Sequence, residues 1–479
     1  MGGSRMGTPA PGPAGGRAGQ RVSGLPPGKA SCRVGEPWPC TTAFLGRGLA
    51  GSVSLREIEG VTRAMRVHSN AALTGLRARA LALDAKDPLA GFKQRFLVDE
   101  PDLLYADGNS LGRMPASTAS LADRVLRQEW GAGLIRSWSN WVDLPFAAGD
   151  LLATAVLGAL RGEVLVADST TVNLYKLACA AISLAPGRRR ILIEADNFPT
   201  DHYVLSGIAR ERGLELVEMP VDIDQGLALE TLADYFDDDI AFACLSAISY
   251  RSGARIDMAQ ANAIAASAGS RIIWDLSHAG GSIKVDLSGT GSELAIGCTY
   301  KYLNAGPGAP AYLYVRSDLI PVVQSPVRGW FSQAGQFEME SDYKPRAGIG
   351  RFGAGTPNIL GTALVAQGAE LIGEAGIESL EGKGASLTDL FIHAADRLLA
   401  PHYFKVRSPR EARLRGSHVT LGHPRARTVA RTLIEEARVV PDFRTPDRIR
   451  FGLAPLYTSH TEVVEIVARI AQLEASGRF

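Results

Sequence analysis

Short apolar runs alternate with helical patterns through the middle of this chain. The runs that predict buried strands are residues 164–167, 190–193, 214–219, 240–245 and 271–274, with helices near 171–184, 199–212, 228–236 and 257–268. This alternation indicates an α/β fold with a mostly parallel central sheet flanked by helices, because parallel strands need crossover connections. Ligands of such sheets bind beyond the carboxyl ends of the strands. That rule selects four residues as neighbours: Asp168, Asn197, Ser246 and Asp275.

The regions on either side of this alternation predict two further parts. Helical spacing is found at 114–134 and 146–160, and after Pro357 a long helical region precedes a mixed segment, 401–479. A chain of 479 residues is too long for one core. The predicted domains are an N-terminal helical segment joining the small domain (65–145), a large cofactor-binding domain (146–360) and a small C-terminal α+β domain (361–479).

The first 64 residues are predicted to be a disordered extension. Residues 1–60 contain 14 Gly and 7 Pro, 21 of 60, against 78 of 479 for the whole chain. Such a composition buries too little apolar surface to offset the entropy of ordering. A true start near Met65 would explain this composition equally well.

Charge and cysteine usage exclude several classes of partner. With 51 basic and 50 acidic side chains the net charge is +1, which gives no reason to expect nucleic acid or a membrane surface. No run of about 18 apolar residues occurs. The five cysteines form no CxxC pair, and three of them lie in apolar runs, as expected in a reducing compartment. We therefore expect a cytoplasmic protein.

A lysine and an aspartate carry the main chemical signal. Asp275 follows a predicted strand, and Lys301 lies 26 positions later in Cys-Thr-Tyr-Lys-Tyr. Pyridoxal phosphate needs a lysine for covalent attachment and a carboxylate at its ring nitrogen. The spacing suits the ends of two neighbouring strands. Alone, each residue would be an ordinary surface lysine or helix-capping aspartate.

Two further segments suit this cofactor. A hydroxyl-rich turn, 168–171, lies between a strand and an apolar helix, where a helix N-terminus would bind phosphate, although it could equally be an ordinary helix cap. Phe198 and Asp201 follow another strand and could meet the cofactor ring, or could form a turn that opens a helix at Pro199. A GxGxxG match at 46–51 lacks a following βαβ unit and is interpreted as chance.

Taken together, the motifs resemble those of the kynureninase family, which has the fold type I architecture of pyridoxal-phosphate enzymes. The resemblance covers roughly residues 85–479. The motifs are Asp-Gly-Asn-Ser-Leu-Gly (107–112), Asp-Ser-Thr-Thr-Val-Asn-Leu (168–174), Asn-Phe-Pro-Thr-Asp (197–201), Trp-Asp-Leu-Ser-His (274–278), Gly-Cys-Thr-Tyr-Lys-Tyr-Leu-Asn (297–304) and Arg-Phe-Gly-Leu-Ala-Pro-Leu-Tyr (450–457).

The resemblance implies roles for individual residues. Lys301 would bind the cofactor and move the Cα proton, with Tyr300 assisting at the substrate carbonyl. Arg450 would bind the substrate carboxylate with its planar fork, and Trp141 would lie near the aromatic end. The implied cofactor-binding set is Thr170, Thr171, Phe198, Asp201, Ser246, Asp275, His278, Tyr300, Lys301, Trp330 and Thr356. No metal is expected.

The implied reaction is the hydrolysis of L-kynurenine or 3-hydroxykynurenine to an anthranilate and L-alanine. A place in tryptophan and kynurenine catabolism, a link to NAD biosynthesis and a homodimer are implied as well. The alternatives are a kynureninase-like enzyme acting on a substituted kynurenine in specialised metabolism, and another pyridoxal-phosphate lyase. A non-catalytic scaffold is disfavoured, because it would need neither Lys301 nor Arg450.

Three departures from the family pattern bear on the substrate. Segment 137–141, Ser-Trp-Ser-Asn-Trp, is about two residues shorter than usual. Gln333 replaces a histidine in Gly-Trp-Phe-Ser-Gln, and Asn358 replaces a proline in Gly-Thr-Pro-Asn. All three lie outside the cofactor machinery, so they leave the reaction class unchanged and bear on which kynurenine is used.

Overall fold

The computed structural model describes residues 55–399 and 403–479, with side chains from residue 70 onward. Helices dominate the two ends of this range. The α-helices are α1 (Leu55–Asp84), α2 (Thr118–Asp123), α3 (Trp138–Trp141), α4 (Leu144–Leu152), α5 (Thr170–Ser183), α6 (Pro199–Arg212), α7 (Leu229–Tyr235), α8 (Met258–Ser267), α9 (Ile359–Ala375), α10 (Ile377–Leu398), α11 (Ala426–Ala437) and α12 (His460–Ala475). Wider π-type turns continue α2 over Arg124–Gly133 and α4 over Ala153–Leu157.

The strands form one large sheet and two smaller ones. They are β1 (Leu104–Tyr105), β2 (Val164–Val166), β3 (Arg190–Glu194), β4 (Glu215–Met219), β5 (Ile240–Ser246), β6 (Ile272–Asp275), β7 (Leu294–Gly297), β8 (Tyr312–Val315), β9 (Lys405–Val406), β10 (His418–Gly422), β11 (Val439–Val440), β12 (Asp442–Arg444) and β13 (Arg448–Gly452). The five predicted strands are confirmed to within two residues at each end, whereas β7 and β8 are additional.

The large sheet has the order β2-β8-β7-β6-β5-β3-β4. Strand β8 alone runs in the direction opposite to the other six strands, so the prediction of a mostly parallel sheet is confirmed. Every residue of β5 is buried, as expected for a central strand with both faces covered by helices. The carboxyl ends of β2, β3, β5, β6 and β7 therefore share one edge.

Local capping fixes where the crossover helices begin. Ser169 precedes α5 and accepts a hydrogen bond from the backbone N–H of Val172 (3.3 Å). Helix α6 begins at Pro199 and ends before Gly213, which has a φ of 67°. Proline is preorganised for a first helical turn and glycine tolerates left-handed backbone, so the predicted bounds of 199–212 are confirmed.

A second sheet organises the C-terminal part. Its order is β12-β13-β10-β9, all antiparallel, and β1 pairs with β11 in a separate short sheet. Side chains from α1, α10, α11 and α12 share a core with β10 and β13. Helix α9 instead packs into the core beneath the large sheet. The domain boundaries proposed from the sequence remain predictions.

Several expectations about the N-terminal region fall outside the described residues. The predicted disordered extension covers residues 1–54, which are not described, and the first ten residues of α1. The GxGxxG match, Cys32 and Cys40 are likewise outside. Across residues 55–399 and 403–479, the helices are too short or too polar to span a lipid bilayer.

Candidate active site at the carboxyl edge of the large sheet

Lys301 and Asp275 lie at the ends of adjacent strands. Asp275 is the last residue of β6, and Lys301 follows β7 by four residues. The two strands pair in parallel, with Asp275 opposite Ile296, so the predicted adjacency is confirmed. The amine of Lys301 lies 2.9 Å from Nε2 of His278 and 5.9 Å from the centre of the Phe198 ring.

The other residues at the strand ends fall into two groups. Ser246 pairs with Asp275 across β5 and β6, and its hydroxyl donates to Oδ1 of Asn197 at 3.0 Å. Asp168 follows β2, which is separated from β6 by β8 and β7. The prediction that Asp168 neighbours the other three is therefore wrong, because strand order is not determined by local periodicity.

Three carboxylates are concentrated beside Lys301. Burial, followed by the charges of Asp275 and Glu194, raises the pKa of Asp201 well above its usual value. Burial also raises the pKa of Glu194 to about 8, although the Ser246 backbone N–H donates to it at 3.1 Å. Oδ2 of Asp201 has no hydrogen-bond partner among the described residues. A cationic ring nitrogen bound here would relieve the repulsion, so the site fits pyridoxal phosphate.

His278 is a neutral neighbour of the lysine. Burial is the main cause that lowers its pKa, and the nearby charges of Lys301 and Arg450 lower it further. Its Nδ1 has no hydrogen-bond partner among the residues that the structure describes. A neutral imidazole can accept a hydrogen bond from the Lys301 amine through Nε2.

The lysine loop is fixed by a close approach of the 107–112 segment. The backbone N–H of Gly112 donates to the carbonyl of Tyr300 at 2.8 Å. A Cβ at Gly112 would collide with the carbonyl of Lys301 and the side chain of Asn304, so this contact requires glycine. The Cys298 thiol and burial together raise the pKa of Tyr300, so its hydroxyl remains protonated at neutral pH.

A cavity of about 280 Å³ lies beside the segment that leads into α5, and of the predicted cofactor-binding residues Thr356 lines it. Asp168, Phe331 and Thr356 line it. Thr170 and Thr171 are the first two residues of α5, directly after the cap. Their backbone N–H groups belong to the free donors of a helix N-terminus, which attract an anion.

Arg450 is buried between the two sheets. Arg450 is 1% exposed. Its guanidinium forms a bidentate pair with the carboxylate of Asp442, with Nε–Oδ1 at 3.1 Å and Nη2–Oδ2 at 2.6 Å. Asp442 lies directly opposite it in β12. Nη2 also donates to Ser110 at 2.9 Å, and Arg444 binds the same Oδ2 of Asp442 at 2.8 Å.

Asp107 adds a second acid to this cluster. Burial and the charge of Asp442 raise its pKa to about 6, with Arg450 opposing the shift. The motif at 107–112 approaches β13 closely, because a Cβ at Gly452 would collide with Asn109. Two acids and two arginines thus lie close together, with Arg450 buried and the other three half-buried.

Aromatic side chains cluster around Trp330 and Phe331, the second of which lines the cavity. Trp138 lies edge-on to Trp330, with ring centres 6.2 Å apart, and also contacts Phe331. Trp141, which the sequence proposed, contacts Trp138 and donates its ring N–H to Glu129 at 2.8 Å. The structure therefore brings Trp138, rather than Trp141, against Trp330.

Gln333, the replacement for the family histidine, has both ends of its amide engaged. Nε2 donates to the carbonyl of Asp342 at 3.2 Å, and Oε1 accepts from the backbone N–H of Lys344 at 2.8 Å. Both contacts therefore stabilise the 333–344 loop.

Sequence reasoning missed several residues of this site. Asp442, Ser110 and Glu194 contact residues of the site, and Trp138 was not distinguished from Trp141. A usable signal existed for Asp442, a charge within a short apolar run eight residues before Arg450. Ser110 lay inside a recognised motif without a role.

Comparison with known proteins identifies the family of the chain. The family model "Kynureninase C-terminal domain" matches residues 380–470. A kynureninase of Pseudomonas fluorescens is 40% identical over 407 residues, covering 83% of this chain and 95% of that protein. A kynureninase of Deinococcus radiodurans is 42% identical over 399 residues, covering 81% and 94%.

Solved structures give the fold. Cysteine desulfurase from Thermococcus onnurineus NA1 matches with a TM-score of 0.69 and 18% identity, covering 78% of this chain and 95% of that one. C-DES, solved with glycine linked to its pyridoxal-phosphate cofactor, matches at 0.67 and 18%, covering 78% and 97%. At this identity the likeness shows the fold alone, and it confirms the predicted fold type I architecture. The extensive similarity to the curated relatives shows that the chain belongs to the kynureninase family.

Proposed function

We propose that this chain cleaves L-kynurenine, or 3-hydroxykynurenine, into L-alanine and the matching anthranilate. Family membership makes it a pyridoxal-phosphate hydrolase of a carbon–carbon bond in kynurenine. The ring preference, the residue roles and the assembly are our proposals. The observation that carries them is the position of Lys301, whose amine lies 2.9 Å from Nε2 of the buried His278 and 5.9 Å from the centre of the Phe198 ring.

The cofactor, when bound, supplies a sink for the electron pair left by a broken bond at Cα. Lys301 would attach it, Asp275 would pair with its ring nitrogen and Phe198 would lie against its ring. Asp201, Ser246 and His278 would complete the ring side. The phosphate side would consist of Thr170, Thr171, Tyr300, Trp330 and Thr356.

Arg450 binds the substrate carboxylate in this proposal. Its fork suits a carboxylate, and it already binds that of Asp442 through two nitrogens. Ser110, at 2.9 Å from Nη2, would add a hydroxyl at the same point. An amino acid held by its carboxylate places its Cα in one fixed position relative to Lys301.

Lys301 then moves the Cα proton. His278, 2.9 Å away, orients the amine as a neutral acceptor and does not add a competing positive charge. Tyr300 keeps its proton, and it is suited to donate a hydrogen bond to the substrate carbonyl that water attacks.

The aromatic cluster around Trp330 would receive the aryl group of the substrate. Trp138 and Phe331 present edges and faces that pair well with another ring. We include Trp141 as the support of Trp138. Both ends of the Gln333 amide are engaged within their own loop, so Gln333 does not take over the role of the family histidine as a donor to the substrate.

A homodimer is the assembly that we infer. Exposed apolar side chains cluster within ten residues: Leu126 (44%), Trp130 (63%), Leu134 (57%) and Ile135 (74%). Patches of this kind usually bury against another protein surface. This cluster directly precedes the segment with Trp138 and Trp141, so a second copy would cover it and approach the aryl pocket. We further propose a cytoplasmic role in tryptophan catabolism that supports NAD biosynthesis.

The test is a direct assay of the purified chain with pyridoxal phosphate. L-kynurenine and 3-hydroxykynurenine are supplied separately, and release of anthranilate or 3-hydroxyanthranilate is followed by fluorescence and chromatography. The proposal expects one of the two products, and the ratio of kcat/KM values assigns the ring. A bound cofactor with neither product would contradict the proposed substrates.

Lys301→Ala provides the matched control. It should abolish the absorbance of the lysine-bound cofactor and lower kcat by at least about 1,000-fold, because it removes both attachment and the base.

Size-exclusion chromatography with light scattering tests the dimer. Trp130→Glu should yield monomers if the exposed cluster is the interface, and an unchanged dimer would place the interface elsewhere.

A further inference from the structure

Lys176 is a fully buried cation that no step above uses. It lies in the second turn of α5, and its side chain is 0% exposed. Its amine donates to the carboxylate of Asp168 and to the carbonyl of Phe352, the latter at 2.6 Å. Lysine is almost never fully buried without a partner, so the position of these two acceptors indicates what the residue does.

The first acceptor lies beside the proposed phosphate site. Asp168 precedes the cap Ser169 and has a φ of 50°, a left-handed conformation uncommon outside glycine. Its carboxylate is 27% exposed and lines the cavity of about 280 Å³. An unneutralised carboxylate at this point would repel a phosphate dianion at the start of α5.

The second acceptor, the carbonyl of Phe352, directly precedes Gly353, which lines that cavity. Phe352 lies four residues before Thr356, which lines the cavity as well. The same stretch is tied to the neighbourhood of Trp330, because the backbone N–H of Phe331 donates to the carbonyl of Ala354 at 3.2 Å. Lys176 therefore joins the helix start on one side to the loop of Thr356 on the other.

We propose that Lys176 is a positioning residue for the cofactor phosphate. It neutralises Asp168 and fixes the distance between the α5 N-terminus and the 352–356 loop, without contacting the phosphate. This inference rests on the proposed phosphate site at the start of α5.

The test compares two forms of the cofactor on the apoenzyme. Lys176→Met keeps the length of the side chain and removes its charge. We expect the Kd of pyridoxal phosphate to rise about tenfold, because the carboxylate of Asp168 is then uncompensated beside the anion. The Kd of pyridoxal, which lacks the phosphate, should change by less than about twofold. Quenching of tryptophan fluorescence reports both titrations without turnover.

Two further variants separate this role from a general loss of structure. Lys176→Met with Asp168→Asn removes both charges and should recover most of the selectivity for pyridoxal phosphate over pyridoxal. Lys383→Met is the matched control, because Lys383 is also buried in an ion pair, with Asp87 at 2.6 Å. It should lower thermal stability and leave the ratio of the two affinities unchanged.

The outcomes distinguish the inference from the site on which it rests. A Lys176→Met protein that loses affinity equally for both forms, or for neither, overturns the inference. If Thr170→Ala with Thr171→Ala also leaves the ratio unchanged, the proposed phosphate site itself is wrong. If the double threonine variant lowers the ratio of the affinity for pyridoxal phosphate to that for pyridoxal while Lys176→Met does not, only the role of Lys176 is refuted.

Discussion

The proposed phosphate and carboxylate sites each have a buried cation, Lys176 and Arg450, and the two cations are held differently. Lys176 has one acid, Asp168, and one backbone carbonyl. Arg450 shares Asp442 with Arg444, and the second acid Asp107 lies nearby. The Lys176 end has a single arrangement of charges, whereas the Arg450 end has several acceptors and donors that can exchange.

This difference matches the ligands proposed for each end. A cofactor remains in place through many turnovers, so a fixed charge arrangement suits its phosphate. A substrate carboxylate arrives and leaves in every cycle, and it must replace or share the partner of a buried arginine. Arg444 can hold Asp442 while Arg450 binds the substrate, so that neither the carboxylate of Asp442 nor that of the substrate is left unpaired.

The largest effect that would sharpen this comparison is expected at Arg450. Arg450→Met should lower kcat/KM about 1,000-fold, because removing one partner of a buried charge pair costs about 2–5 kcal/mol. The Kd of pyridoxal phosphate should change less than about twofold, the reverse of Lys176→Met. Steady-state kinetics and cofactor titration measure the two quantities. A comparable loss of cofactor affinity in both variants would show that the two ends are not independent.

Asp442→Asn comes next and concerns stability. It leaves Arg450 buried with one charged partner fewer, and the free energy of unfolding should fall by about 3 kcal/mol in chemical denaturation. Because an incoming carboxylate would replace the missing one, saturating L-alanine should raise the Tm of this variant more than that of the unmodified protein. An equal rise in both proteins would refute the exchange.

A smaller effect is expected from the pH dependence of Asp107. Its pKa is 3.8 in the unfolded chain and about 6 in the folded protein. As pH rises from about 4 to 6, the unfolded chain releases this proton while the folded protein retains it, so stability falls and then levels above pH 6. Asp107→Asn should therefore be about 1–2 kcal/mol more stable at pH 7 and nearly unchanged at pH 4. Chemical denaturation at pH 4 and pH 7 measures the free energy of unfolding of both proteins. A variant less stable than the unmodified protein at pH 7 would contradict the prediction.

The smallest effect is expected at Arg444, whose side chain is 35% exposed. Arg444→Gln should raise KM about two- to threefold with kcat unchanged, since an exposed ion pair contributes little. Initial rates across substrate concentrations suffice. A loss as large as that of Arg450→Met would mean that Arg444 contacts the carboxylate itself.

Local pattern predicted the parts of the fold that depend on local chemistry. Helix α6 was predicted to the residue because proline and glycine mark its ends. Lys301 and Asp275 were placed on neighbouring strands by spacing and cofactor chemistry together. Asp168 was misplaced because β8, which pairs with β2 on one side and β7 on the other, comes late in the chain and was not predicted.

Buried charges escaped prediction for a related reason. Lys176 stands in an otherwise apolar helix, and the carbonyl that accepts from it comes from Phe352, far along the chain. Asp442 becomes a partner of Arg450 only when β12 and β13 pair. The orientation of Trp138 and Trp141 depends on the short turns around them, so no periodicity could assign one of them to Trp330.

The order of strands in the large sheet also sets a length. Three strand spacings separate β2 from β6, with β8 and β7 between them, which is about 14 Å at roughly 4.8 Å each. Side chains at both ends, a hydroxyl-bearing helix start and the carboxylate of Asp275, occupy part of that span. The strand order thus sets the distance that a bound pyridoxal phosphate would have to bridge between Asp275 and the start of α5.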